Sequence, residues 1–182
     1  MCLSRRNALA IVFGVSLSVA VSTRVDARLL FSPSVAVDLA GIELRDGEGK
    51  SSALTDILPD GPAILHFWAT WCAPCRAELP ELAAFARDLE IAGLNDRLLV
   101  ISVDRGDHAR IRRFLRDEIG VQVIEALQDI SGRSGSAFRL FGFPSTVMLD
   151  WDRGMVSRVA GPLDWSDPDI RAGLRKHLGE PF

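Results

Sequence analysis

The stretch HFWATWCAPCRAELPEL, residues 66–82, places two cysteines three residues apart between an apolar run and a helical pattern. The run that leads into it, GPAILHFWA, is almost continuously apolar at Ile64, Leu65, Phe67 and Trp68, as a central parallel strand buried on both faces would be. Beyond the pair, Cys75, Leu79, Leu82, Ala86 and Leu89 recur at spacings of three and four, which marks one buried helical stripe. Cys72 and Cys75 therefore sit at a strand-to-helix junction, with Pro74 inside the first turn. Positions i and i+3 share a helix face, so the two sulfurs can bond. The free N–H groups and positive dipole end of that turn favour a thiolate, the form that attacks disulfides. The first cysteine is expected to be the exposed nucleophile, and the second, lying deeper, the one that resolves a mixed disulfide.

Metal chemistry is the rival. A closed zinc site needs four ligands, whereas His66, His108 and His177 are scattered and there is no second C-x-x-C. Copper held by the two thiolates during transfer to a partner stays open. A purely structural staple explains less, because so short a loop constrains the unfolded chain little.

Outside this stretch the 182 residues suit one domain, and 48% hydrophobic content is enough for a core. A net charge of −3 gives no sign of nucleic-acid binding. The N-terminus differs from the rest: Arg5 and Arg6, an apolar run over residues 8–21, then small residues ending Val25-Asp26-Ala27. That order reads as a signal peptide over residues 1–27, too short for an ordinary membrane span of about twenty residues. Because the Val25-Asp26-Ala27 site is only loosely A-x-A-like, an uncleaved anchor through residues 8–21 is the alternative. SRRNAL also resembles a twin-arginine signal, although two arginines equally supply the charge that any signal peptide needs. Cys2 precedes the apolar run, so it is not a lipid-attachment cysteine. Cleavage after Ala27 leaves Cys72 and Cys75 as the remaining cysteines, which excludes a disulfide-stapled mini-protein.

Residues 28–40 read as a tether and residues 41–182 as the domain. GIELRDGEGKSSAL reads as a short strand, a turn around Asp46–Gly49 and a return. RLLVISVD (97–104) is a second buried strand, followed by a helix carrying Ile111, Phe114, Leu115 and Ile119 inward and closed by Gly120. Arg110, Arg112, Arg113 and Arg116 lie on its other faces, a solvated surface offset by Asp117 and Glu118. A short helix near residues 136–140 precedes the strand STVMLD, and DWDRG (150–154) turns it into MVSRVAG as an antiparallel hairpin. The last helix starts at Asp167-Pro168, with Ile170, Leu174 and Leu178 inward. The order β-α-β-α-β-β-α predicts an α/β fold: a central mixed sheet with helices on both faces.

FWATWCAPC together with FGFPSTVMLD resembles the thioredoxin superfamily, and within it the TlpA-like exported thiol-disulfide oxidoreductases. The resemblance spans roughly residues 35–178. Trp71 precedes the cysteine motif, Pro80 sits where the family's active-site helix kinks, GFPST matches its cis-proline loop, and VAGPLDWSD (159–167) is similar to the segment after its last strand. The resemblance implies that Cys72 is the attacking thiolate and Cys75 the resolving one, flanked by Trp71 and Pro74. It implies that Pro144 is cis and that the backbone of Phe143 pairs with an extended substrate chain. Glu78 matches an acidic residue common in the exported branch, which could tune a thiol or move a proton; alternatively it is a glutamate that suits the helix dipole. His66 departs from the family, because ordinary thioredoxins carry a buried acid there. It could relay a proton or simply be a satisfied core histidine.

The resemblance further implies a periplasmic, monomeric oxidoreductase with no bound cofactor beyond the Cys72–Cys75 disulfide. Its implied substrates are disulfides in partner proteins, and a membrane thiol carrier supplies the electrons. Assembly of cytochrome oxidase copper sites and cytochrome c maturation are the two implied settings. Ser145 follows the proline where the cytochrome c branch typically carries an acid, which weighs toward the first. A thiol-based copper chaperone, or a partner-binding module on the same fold, is the alternative class.

Overall fold

The computed structural model describes residues 35–125 and 127–179. The expected signal peptide or anchor lies outside them, and so does the first part of the expected tether. Among the described residues no helix is long and apolar enough to cross a membrane.

Seven strands form one sheet in the order β2-β1-β5-β4-β3-β6-β7. An inner strand, β3 (Ala63–Trp68), has all six residues buried and runs parallel to β4 (Leu98–Ser102) and antiparallel to β6 (Ser145–Leu149). That position explains its near-continuous apolar run, since both faces and both edges are covered. β6 turns through Asp150–Gly154 into antiparallel β7 (Met155–Ala160), and the Asp150 Oδ1 accepts the N–H groups of Asp152 and Gly154. The N-terminal hairpin, β1 (Glu43–Arg45) and β2 (Ser51–Ala53), turns on Asp46 and leads into the short helix α1 (Leu54–Ile57).

The side chains of β3 alternate between two cores. Ile64 and Trp68 pack beneath α2 (Ala73–Ile91), α3 (His108–Arg113) and α5 (Pro168–His177), whereas Leu65 and Phe67 join the opposite core with Leu54 of α1 and Phe138. Helices thus cover both faces, as the sequence predicts. Phe138 follows α4 (Ser134–Ala137), which begins two residues before the expected position. The buried face of α2 includes Glu78, Ala83 and Phe85 besides Cys75, Leu79, Leu82 and Leu89, while Ala86 is only partly buried. α3 runs on as a π-helical turn over Phe114–Ile119, and Gly120 ends it at φ 76°, a left-handed conformation suited to glycine. Asp167 caps α5 by accepting the N–H groups of Asp169 and Ile170.

Two further features depart from the sequence reading. β5 (Leu127–Asp129) is an additional strand, parallel to β4 and antiparallel to β1, which joins the N-terminal hairpin to the sheet. In addition, the last residues of the expected tether lie on the domain. Val35 exchanges both backbone hydrogen bonds with Met155, and Leu39 is buried in the core around α1.

Candidate functional site

The end of β3 carries the chain through Ala69, Thr70 and Trp71 to Cys72, which is the N-cap of the 19-residue helix α2. Its Sγ accepts the backbone N–H of Cys75 at 3.3 Å, one of the amides that a helix start leaves unpartnered. Cys72 and Cys75 form a disulfide, with Cα atoms 5.3 Å apart. Cys72 is 5% exposed and Cys75 fully buried. The expected exposed nucleophile is thus itself buried in the disulfide form, only slightly less so than Cys75, while Pro74 lies exposed in the turn beside it.

A carboxylate outside the motif holds the approach to Cys72. Asp104, two residues beyond β4, accepts the Thr70 N–H (2.8 Å), the Thr70 hydroxyl (2.7 Å) and the Ser102 hydroxyl (2.7 Å). Gln128 of β5 in turn donates to the Asp104 carbonyl at 2.8 Å. Sequence reasoning did not single out Asp104. The available signal was a polar cluster, Ser102 and Asp104, at the carboxyl end of a buried parallel strand, where α/β proteins place their sites.

On the opposite side lies the loop before β6. The Phe143–Pro144 peptide is cis, as the resemblance implies. Register pairs Phe67 with Ser145, so Pro144 lies level with the end of β3, from which the cysteine loop emerges. The Pro144 carbonyl accepts the Gly161 N–H at 2.9 Å, and the Ser145 hydroxyl donates to the Gly142 carbonyl. Phe143 is partly buried and meets the Trp71 ring edge-on at 6.0 Å, with Trp71 itself 67% exposed. These two rings flank the mouth of the site.

Glu78 and His66 come together beneath the pair. Glu78 sits six residues into α2, one turn beyond Cys75, and faces inward. Its Oε2 accepts the Leu163 N–H and the Trp165 indole N–H, each at 3.0 Å, and its Oε1 lies 3.4 Å from His66 Nε2. The reading of Glu78 as a glutamate merely suited to the helix dipole is therefore corrected: its partners are a buried backbone amide and two buried rings. His66 is fully buried, with Nδ1 3.1 Å from Thr146 Oγ1 and its ring edge-on to Trp165 at 5.4 Å. Thr146 and Trp165 are site residues that the sequence alone did not assign. Trp165 lies 87 residues from Glu78, beyond any local pattern.

A thioredoxin-like sheet with a C-x-x-C disulfide at a helix start and a cis-proline loop beside it defines the class: thioredoxin-fold proteins with a dithiol–disulfide centre. Residues 35–156 match the AhpC/TSA family, and the chain belongs to it. It is similar to the thiol:disulfide interchange protein HelX of Rhodobacter capsulatus, with 35% identity over 63% of this chain and 62% of HelX. It is also similar to the thiol:disulfide interchange protein DsbE of Yersinia pestis, with 30% identity over 78% of this chain and 70% of that protein. The chain thus spans less than two thirds of HelX. Among solved structures, the exposed lipoprotein thioredoxin Etrx1 of Streptococcus pneumoniae shares the fold. It superposes with a TM-score of 0.57 at 21% identity, over 76% of this chain and 98% of Etrx1.

Proposed function

We propose that the chain is an exported protein thiol-disulfide oxidoreductase that reduces disulfides in partner proteins. The observation that carries this reading is the Cys72–Cys75 disulfide at the start of α2, with Cys72 the less buried of the two. The relatives named as thiol:disulfide interchange proteins support it.

In the reduced protein, the first-turn amides stabilise the Cys72 thiolate. That thiolate attacks one sulfur of the partner disulfide and forms a mixed disulfide. The partner's other sulfur leaves as a thiolate and takes up a proton. Cys75 then loses its proton and attacks Cys72 Sγ, so that the second partner thiol departs. Two electrons pass to the partner, and the Cys72–Cys75 disulfide remains. A membrane thiol carrier restores the dithiol, which is the direction the TlpA resemblance supports.

Glu78, one helical turn from Cys75 on the same buried face, is the acceptor for the Cys75 proton, and His66 is its partner at 3.4 Å. An extended partner segment lies along Phe143. Among the described residues, the Phe143 backbone N–H and C=O have no hydrogen-bond partner and are free to pair with it. The partner is a copper-site protein of cytochrome oxidase, with cytochrome c maturation as the neighbouring role. Ser145 directly after Pro144 favours the first.

Cys75→Ala tests the reading. The variant should accumulate a mixed disulfide through Cys72 that dithiothreitol releases. If it forms no adduct and the unsubstituted protein does not turn over a protein disulfide, the reading fails; stoichiometric copper binding by both thiols would then identify a chaperone. A reduction potential near that of dedicated oxidants, about −120 mV, would reverse the direction of electron flow.

A further inference from the structure

Beside the disulfide, a groove of about 620 Å³ runs from Trp71 and Phe143 past Asp104 and Arg105 to Arg45. It lies outside the carboxyl ends of β3, β4 and β5, three adjacent strands that point the same way. A smaller hollow on the Trp71 side adds Arg110. The groove begins at the rings that flank Cys72, so a chain whose cysteine has reached Cys72 meets it next.

The charges along the groove divide by availability. Its two carboxylates are committed to the protein. Asp104 accepts three hydrogen bonds from Thr70 and Ser102. Asp129 accepts the Ser131 hydroxyl and the N–H groups of Gly132 and Ser134. The arginines are not so committed. Among the described residues, the guanidinium groups of Arg45, Arg105 and Arg110 form no ion pair and no hydrogen bond, whereas those of Arg76, Arg113, Arg116 and Arg171 each pair with a carboxylate. Arg105 and Arg110 are exposed and Arg45 half-buried. In a chain of net charge −3, three guanidinium groups stand along the groove and the hollow beside Trp71, one more than the carboxylates there. Guanidinium groups bind carboxylates through a planar pair of N–H donors, a geometry that selects for them.

We propose that this groove docks an acidic, extended segment of the partner protein next to its reactive cysteine, and that Arg45, Arg105 and Arg110 read its carboxylates. The proposal rests on the thiol-exchange reading above and adds the chemistry of the partner. Charge matching at such a surface acts mainly on association, and salt screens it.

Two synthetic disulfide peptides test it: one with aspartates within about three residues of the cysteine on both sides, the other with asparagines there. At low ionic strength the protein should reduce the acidic peptide about fivefold to tenfold faster in kcat/KM, and the ratio should fall toward one as salt rises. The triple variant R45E/R105E/R110E should invert the preference, whereas Arg87→Glu, on an exposed face of α2 away from the groove, should keep it. Equal rates for the two peptides at low salt, or a preference that survives the triple substitution, would overturn the proposal. Reduction of bis(2-hydroxyethyl) disulfide separates it from the activity. A protein that reduces this uncharged compound yet shows no peptide preference loses the groove alone; one that reduces neither loses the thiol-exchange reading as well.

Discussion

Glu78 has two jobs on two oxygens. Oε2 holds the Leu163 amide and the Trp165 indole, and Oε1 faces His66. Glu78→Gln keeps the shape and an acceptor oxygen but removes the proposed proton acceptor. We expect the fold to persist and resolution of the Cys72 mixed disulfide to slow about a hundredfold near neutral pH, as stopped-flow quenching of the adduct would record. His66→Leu has a different signature. It leaves the buried Thr146 hydroxyl without its facing nitrogen, at about 1–3 kcal/mol, which urea unfolding would read directly. The cysteines were legible in the sequence because their spacing is itself the chemistry. The burial of Glu78 was half legible: three residues from Cys75 and four from Leu82, it falls within the buried stripe. What it touches was not, since Leu163 and Trp165 arrive from beyond β7.

Among the elements, the loop between β3 and α2 owes its course to a neighbouring strand. Asp104 grips both the amide and the hydroxyl of Thr70. Asp104→Ala should therefore release the Thr70 amide to hydrogen exchange and cost about 1.5–3 kcal/mol, as charged hydrogen bonds do. Cys72, two residues on, should lose reactivity toward protein disulfides. Asp167 is a simpler case: removal of this cap in Asp167→Ala should cost about 1 kcal/mol, seen as a lower urea midpoint with an unchanged slope. Pattern reading found the long or well-punctuated elements: β3, α2, the Asp150–Gly154 hairpin and the Asp-Pro start of α5. It missed β5 because that short strand is defined by its pairing with β4 and β1. The π-helical turn after α3 was equally hidden, since its sequence keeps an ordinary amphipathic spacing.

At the scale of the whole molecule, α5 closes the sheet where β3 begins and β6 ends. His177 meets both there, and burial, its main influence, holds the imidazole below its ordinary value of 6.5 despite the carbonyls of Ala63 and Leu149 and the charge of Asp150. The unfolded chain therefore binds this proton at higher pH than the folded one does. Stability should be unaffected by His177 well above pH 6.5 and should decline as pH falls through that value toward the lower folded one. His177→Gln should flatten that part of the curve, measured as urea stability against pH. The overall architecture was legible because apolar runs and amphipathic stripes alternate along the chain, and only a layered sheet buries both.

Beyond the disulfide and the Cys75 amide held by Cys72 Sγ, the bonds that shape the site contain no sulfur. Thr70 is tied to Asp104, Glu78 to Leu163 and Trp165, and Gly161 to Pro144. None of these ties passes through the Cys72–Cys75 link. Opening it should therefore leave the frame standing, and the Thr70 and Leu163 amides should keep the same exchange protection in both redox forms.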